Sequence, residues 1–257
     1  MEAIINPVNR ALLKSELSTE RFLRKTRKGD NEIYVINAHN APNTLQEIGR
    51  LREVTFRASG GGTGKSVDLD IYDTCELCYE QLIVWSPEDE EIVGGYRYIK
   101  CADAIDKTSG EIHLSTAHYF NFSEKFVSDY LPYTIELGRS WVQPNFQPSV
   151  NPRKGLFALD NIWDGLGALV IYNPEIRYFF GKVTMYPSYD TASRDFLLHF
   201  MHHYFPDNEN LMHPFHPLDS RWLYGDMVFI IEPVFWTALG VALALLVPNR
   251  VLRWLFA

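Results

Sequence analysis

Cysteine is scarce in this chain. Its 257 residues hold three, Cys75, Cys78 and Cys101, too few and too odd in number for a disulfide-stapled fold, so a reducing compartment is expected. Cys75-Glu-Leu-Cys78 has C-x-x-C spacing, but no second pair exists to complete a four-ligand zinc site; ordinary half-buried thiols are expected there. Basic charge is also in deficit. Twenty-four Lys and Arg against 32 Asp and Glu leave a net charge of −8, which excludes a surface given over to nucleic acid. The N-terminus lacks the apolar stretch of a secretory signal. Long apolar runs are missing as well, with one partial exception: Val234 to Val247 is uncharged for 14 residues between Pro233 and Pro248, short of the roughly 20 that a membrane-spanning helix needs.

What remains is ordinary globular usage, 46% hydrophobic and 22% charged, enough to exclude disorder, collagen and coiled coil and to fill one large α/β domain plus an appendage. The stretch to Gly29 carries seven basic residues (Arg10, Lys14, Arg21, Arg24, Lys25, Arg27, Lys28) against three acidic ones, either a solvated face or a dock for an acidic partner or anionic headgroups. Glu32 to Asn37 is β-branched and aromatic between turn residues, hence a strand. From Thr44, Leu45, Ile48, Leu51, Val54 and Phe56 recur at helical spacing, with Asn43 or Thr44 available as the N-cap.

The following Ser59-Gly-Gly-Gly-Thr-Gly-Lys-Ser66 imitates a phosphate-binding P-loop. It fails on two counts, because Ser59 stands where the first Gly is needed and a helix precedes where a strand is required. A flexible connection, or a loop that covers a substrate, is the expectation. Asp68, Asp70 and Asp73 put three carboxylates within six residues, which repel unless they face water or a cation. Glu80 to Ser86 and Ile92 to Lys100 read as a hairpin across the acidic turn Pro87 to Glu91. Arg97 falls mid-strand between Tyr96 and Tyr98 and must find solvent or a partner, since burying it alone is costly. After a helix-like stretch from Ser123 to Leu131, Tyr133 to Val142 reads as a strand. Alternation puts Thr134, Glu136 and Gly138 on one face and Ile135, Leu137 and Arg139 on the other, unless a bulge at Gly138 turns Arg139 toward Glu136.

The ordered set Leu51-Arg-Glu-Val-Thr-Phe56, the Gly-rich loop, Asp68-Leu-Asp-Ile-Tyr-Asp73, Gly94-Gly-Tyr-Arg97 and Ile135-Glu-Leu-Gly-Arg139 resembles the N-acyltransferases that make ornithine and glycine lipids. These are GNAT-fold relatives of the acyl-homoserine lactone synthases, and some carry the label "hemolysin". Leu156 to Gly167 and Tyr178 to Ser188 resemble the glycine-lipid branch in particular. The resemblance covers about residues 30 to 205. It implies an α/β, GNAT-like fold, a mixed central sheet flanked by helices, followed here by a hydrophobic C-terminal tail.

It further implies transfer of a (3-hydroxy)acyl chain from the phosphopantetheine thioester of acyl carrier protein to the amine of glycine or an ornithine-like amino acid, in membrane aminolipid synthesis. No other cofactor and no metal are implied. An ammonium must lose a proton before it attacks a thioester, and Glu136 is the expected base, acting directly or through a water. Arg139 and Arg97 would position Glu136, the acyl chain's polar end or the acceptor carboxylate, using the planar fork that Arg offers. Asp70 and Asp73 would hold the acceptor's ammonium or lock the Gly-rich loop, and Arg52 and Phe56 would line the site. Pro148 to Ala158 holds a single glycine, Gly155, a thin cradle that suits a carrier arm's phosphodiester better than coenzyme A. An acyl-homoserine lactone synthase and a non-catalytic, membrane-attached lipid- or carrier-binding module are the alternatives.

His199, His202 and His203 lie at i, i+3 and i+4 without the carboxylate of an H-E-x-x-H site, so surface or interfacial histidines are expected. The expected division is a basic segment 1–29, an acyltransferase domain 30–205, a Pro- and His-containing linker 206–226 and a tail 227–257. Leu223 to Phe235 is where closing strands would have to come from. In the tail, Arg250, Arg253 and Trp254 among apolar residues look interfacial, and a full span would leave both arginines outside, against the positive-inside tendency. Monotopic or re-entrant attachment to the cytoplasmic face of the cell membrane is therefore expected ahead of a tail anchor or a buried helix.

Overall fold

The computed structural model describes residues 1–106, 108–186, 189–216 and 226–231. In chain order it builds α1 (Arg10–Glu16), β1 (Phe22–Lys25), β2 (Glu32–Ile36), α2 (Pro42–Ala58), the single turn α3 (Ile71–Thr74), β3 (Glu80–Ser86) and β4 (Glu91–Lys100). There follow β5 (Phe120–Phe122), β6 (Thr134–Val142), a turn α4 (Pro152–Gly155), α5 (Ala158–Tyr172), β7 (Tyr178–Thr184), α6 (Thr191–Tyr204), β8 (Met212–Pro214) and β9 (Asp226–Ile231). The expected helix near 123–131 is a short π turn, Phe126–Tyr130.

Among the described residues, seven strands form one mixed sheet in the order β1-β2-β3-β4-β6-β7-β9. Every pairing is antiparallel except β6 with β7. That parallel pairing runs only from Thr134 to Leu137 on β6 and from Tyr178 to Gly181 on β7. Both strands continue beyond it, to Val142 and Thr184, so the sheet opens between them. β9 spans the expected boundary at 226/227, which puts the first residues of the expected tail into the sheet. Likewise, β8 pairs with β5 inside the expected linker. The apolar run 234–247 and the arginines that follow it lie outside the described residues. Among the described residues, no helix is long and apolar enough to cross a membrane.

Helix α2 begins two residues before Thr44, with Pro42 at its first position and no cap from Asn43 or Thr44. Proline suits that position because its missing N–H is not needed there. The free amides of Asn43 and Thr44 are instead taken by the Glu16 carboxylate at 3.0 and 2.7 Å, and a negative charge is favoured at this helix end.

The two faces of the sheet are covered differently. Against one, α5 packs Ala158, Ile162, Leu166 and Leu169 onto Ile33, Leu82, Val84, Tyr98, Ile135 and Phe179. Gly165 allows that approach, since a Cβ there would stand 2.5 Å from Leu82 Cδ2. Against the other, α1 and α2 bring Leu13, Leu45, Ile48 and Leu51 onto Ile36, Ile83, Trp85 and Trp141. Farther along this second side lies a third cluster, with Tyr79, Ile99, Leu114, Phe126 and Leu131. Between the second and third clusters the buried side chains are charged.

The basic N-terminal segment is part of the fold. β1 forms the sheet edge, and Arg10–Glu91, Lys14–Glu90, Arg27–Asp164 and Lys28–Asp160 pair at 2.5, 2.7, 3.4 and 3.8 Å.

Candidate active site

Cross-strand register explains why charge collects on this face. Gln81 on β3, Arg97 on β4 and Gly138 on β6 stand side by side across the sheet, so Arg97 and Glu136 point to the same side. Between Arg97↔Gly138 and Gly95↔Trp141, β4 advances two residues while β6 advances three. The extra residue is the bulge expected near Gly138, but its left-handed residue is Arg139, at φ 49°. For a residue with a Cβ that conformation costs roughly 1–2 kcal/mol. The bulge also inverts the alternation. Ile135 and Leu137 pack toward α5, whereas Trp141 packs toward α2, and Arg139 joins the charged side.

The three expected aspartates meet three arginines there. Arg52, wholly buried on α2, grips Asp73 with both terminal nitrogens at 3.1 and 3.2 Å and reaches Asp68 at 3.3 Å. Arg97 pairs with Asp70 at 2.7 Å and Asp73 at 3.2 Å. Arg139 pairs with Asp68 at 3.2 Å and Asp70 at 3.5 Å. Gln81 donates a further hydrogen bond to Asp73 at 3.0 Å. Three positive and three negative groups cancel, which is how a buried cluster of this size is tolerated. Burial opposes the charged form of Asp73, but Arg52 and Arg97 outweigh it and hold the carboxyl at about 2. Burial likewise opposes the charge on Arg97, and Asp73 and Asp70 more than compensate, raising its pKa. Arg139 differs, because burial lowers it despite Asp68. Its side chain is one-third exposed at the bulge, beside the sheet opening.

Glu136 stands apart from these pairs. It is wholly buried, yet neither Arg97 nor Arg139 hydrogen-bonds to it. Its oxygens accept the hydroxyls of Ser115 and, at 3.1 Å, Thr116. Burial raises its pKa above the ordinary carboxylate range, with the Ser115 and Thr116 hydroxyls, the nearby charge of Arg97 and the Tyr79 hydroxyl pulling the other way. Tyr79, buried alongside, accepts the Ser115 N–H at 2.8 Å and lies under the Arg97 guanidinium, 5.1 Å from ring centroid to Cζ.

Two expected roles need correction. Asp70 and Asp73 do not hold the Gly-rich loop: Asp73 is spent on Arg52, Arg97 and Gln81, and Asp70 on Arg97, Arg139 and the cap of α3. The loop is held by Glu53, which accepts Thr63 N–H, Thr63 hydroxyl and Gly64 N–H at 2.9, 2.7 and 2.9 Å, and by the N-terminal strap, where Glu2 and Gly64 pair backbone to backbone at 2.8 Å. Tyr186 sits so close over Gly61 that any Cβ there would collide with it. Arg97 and Arg139 do not hold Glu136 by direct contact; Ser115 and Thr116 do. Phe56 is half-buried against the α1/α2 cluster, while Arg52 sits inside the network. No sequence motif marked Ser115 and Thr116, whereas Glu53 lay unremarked within Leu51–Phe56. Cys75 and Cys78 are half-buried free thiols, and His199, His202 and His203 are exposed. Among the described residues, no three His, Cys, Asp or Glu side chains are placed to hold a metal ion.

A mixed sheet that opens between the parallel strands β6 and β7 fits the GNAT-like fold expected from the resemblance. A family model described as "Acetyltransferase (GNAT) domain" matches residues 51–153. Two relatives lie much nearer. "Glycine N(alpha)-acyltransferase" of Bacteroides thetaiotaomicron is 56% identical over 218 residues, covering 85% of this chain and 65% of the relative. The protein of the same name from Phocaeicola vulgatus is 54% identical over 219 residues, covering 85% and 67%. This chain therefore belongs to the GNAT-type N-acyltransferases, in the group that holds these two, and spans about two thirds of their length. The solved AHL synthase LasI, 14% identical, overlays 66% of this chain and 77% of its own at a TM-score of 0.36, too slight a likeness to argue from.

Proposed function

We propose that this protein is an acyl carrier protein-dependent glycine N-acyltransferase. The observation that carries the reading is the isolated, buried Glu136, with its raised pKa, beside a charge-balanced network at the opening between β6 and β7. The two named relatives supply the acceptor. The reaction forms a C–N bond between the glycine amine and the thioester carbonyl carbon and breaks the C–S bond, leaving N-acylglycine and the carrier's thiol. A carboxylate whose pKa is raised above the ordinary range is a stronger base for the amine proton than an ordinary one. Beyond Leu137 the edge of β6 is unpaired with β7, and backbone N–H groups there would stabilise the tetrahedral oxyanion, each worth about 3 kcal/mol in comparable sites. No side-chain nucleophile is required. Arg139, the most exposed guanidinium of the three, suits the acceptor's carboxylate.

The acidic carrier would approach the β1 edge, where Arg24 and Lys25 lie near the paired Arg27 and Lys28. An aminolipid product fits attachment to the cytoplasmic face of the membrane. Support comes from the apolar run 234–247 and from Phe196, Leu197, Phe200 and Tyr204, exposed along α6. Because β9 belongs to the sheet, deletion from 232 rather than 227 is the proper test of attachment: membrane sedimentation should be lost, and a truncated protein that still pellets removes the tail from the account. The activity is tested by incubating the purified chain with 3-hydroxyacyl-acyl carrier protein and glycine, ornithine or serine. Mass spectrometry should find N-acylglycine in excess over the other products, and absence of any N-acyl amino acid would refute the proposal.

A further inference from the structure

The geometry points to Ser115 as a catalytic proton relay between the acceptor amine and Glu136. The inference rests on the N-acyltransferase reading above and deepens it. Glu136 is 0% exposed, so a substrate amine cannot reach it across the surface as it stands. Its neighbours close it off: Thr116 is 1% exposed, Tyr79 is 0% exposed, and the Leu114, Phe126 and Leu131 cluster packs around Tyr79. Of the hydroxyls around Glu136, those of Ser115, Thr116 and Tyr79, only that of Ser115 belongs to a residue with exposed surface.

Ser115 is also held in place. It opens the turn Ser115–His118, its N–H is anchored on the Tyr79 phenol oxygen at 2.8 Å, and its hydroxyl proton is committed to Glu136. A hydroxyl that donates its only proton still has lone pairs with which to accept one. That is the arrangement a relay requires, and it puts a protein hydroxyl where a water would otherwise have to stand.

The steps balance. Glycine enters as the free amine and its nitrogen bonds to the thioester carbon. The proton it now carries in excess moves to Ser115 Oγ as the Ser115 proton moves to Glu136. The tetrahedral intermediate then collapses with loss of the C–S bond, and the reverse passage, Glu136 to Ser115 to sulfur, returns the proton to the leaving thiolate. Glu136 and Ser115 end as they began. Thr116 holds the second carboxylate oxygen and is a positioning residue.

The test compares Ser115→Ala, Ser115→Thr and Glu136→Gln in the full-length protein with 3-hydroxyacyl-acyl carrier protein and glycine. Ser115→Ala should lower kcat by about 100-fold, the low end for a positioned proton-transfer group, and leave KM for the acyl donor unchanged. The solvent-deuterium proton inventory should change from two transferred protons to one, and Ser115→Thr should recover most of the rate. Wild-type kcat with an unchanged two-proton inventory in Ser115→Ala overturns the relay while leaving the N-acyltransferase reading intact. A second measurement does not depend on turnover. The infrared antisymmetric carboxylate stretch of Glu136, identified by its loss in Glu136→Gln, should shift in Ser115→Ala. A band that stays in place refutes the Ser115–Glu136 contact whatever the protein acylates. Failure of the wild-type protein to acylate any amino acid, with the band shifting as expected, refutes the enzymatic reading and with it the catalytic relay.

Discussion

Helices α5 and α2 cover opposite faces of one sheet, and they do so by different physics. Under α5 the contact is apolar from Ile33 to Phe179, and each fully buried aliphatic side chain contributes about 1.5–3 kcal/mol. Under α2 the apolar layer gives way to three arginines, three aspartates and Glu136. Charge of that kind does not make the best core, since well-packed hydrophobic residues of the same volume are commonly as stable or more so. Its cancellation makes it tolerable, and it lies beside the β6–β7 opening, where the proposed activity would use it. The α5 face is apolar throughout, whereas the α1/α2 face combines its own apolar clusters with the charged network that the proposed reaction would use.

Glu136→Gln is the sharpest way to break this division. Turnover should fall about 10²- to 10⁴-fold, measured as thiol release from the acyl carrier, without loss of stability. Burial raises the folded-state pKa of Glu136 above its ordinary 4.5, so the cost of its buried charge grows as pH rises past that value. At pH 7 the Gln variant should melt at or above the wild-type temperature, and below pH 4 the difference should vanish. A variant that is inactive and also unstable would mean that Glu136 is structural.

Asp73→Asn should cost about 3–5 kcal/mol, because Arg52 and Arg97 lose a shared partner in the interior. Its pH signature has a definite sign. The native carboxyl sits at about 2 against an ordinary 3.8, so its stabilisation is complete above pH 4 and lost as pH falls through 2. Acid unfolding of the Asn variant should lack that component. Leu82→Ala, on the other face, should cost about 2–5 kcal/mol with an unaltered acid profile and little change in kcat at temperatures where it remains folded. Urea melts at pH 7 and pH 3 separate the two variants.

Glu53→Gln should cost about 1–3 kcal/mol by leaving loop donors unmet, and should raise proteolytic cleavage between Gly60 and Lys65 before global unfolding. Smallest of all, Arg10→Ala should cost at most about 1 kcal/mol, since the Arg10–Glu91 pair is largely solvated and salt screens it. A large effect there would show that the N-terminal segment matters more to the sheet than its surface pairs suggest.

Much of the fold was legible because strand alternation and helical spacing are local. β2, β3, β4 and β6 fall where the pattern puts them. Helix α5 is poorly legible, since Gly165 and Gly167 weaken it locally, and Gly165 makes sense only beside Leu82. Gly138 offers a bulge as one alternative, yet the positive φ falls on Arg139; the pairs with Asp68 and Asp70 accompany it. Within the site, the residue types were legible and their partnerships were not. Arg52 and Asp73 are 21 positions apart, as are Ser115 and Glu136, and no periodicity links such pairs.

By itself, the amino-acid order determined most of the central strands and helix α2, and that several mid-strand and clustered charges required partners. Those follow from burial periodicity and from the cost of an isolated charge, both of which act within a few residues. Only the tertiary structure decided who pairs with whom: Asp73 with two arginines, Glu53 with the Gly-rich loop, Glu136 with two hydroxyls. Such pairing depends on sheet register, and a shift of one residue moves every side chain to the other face.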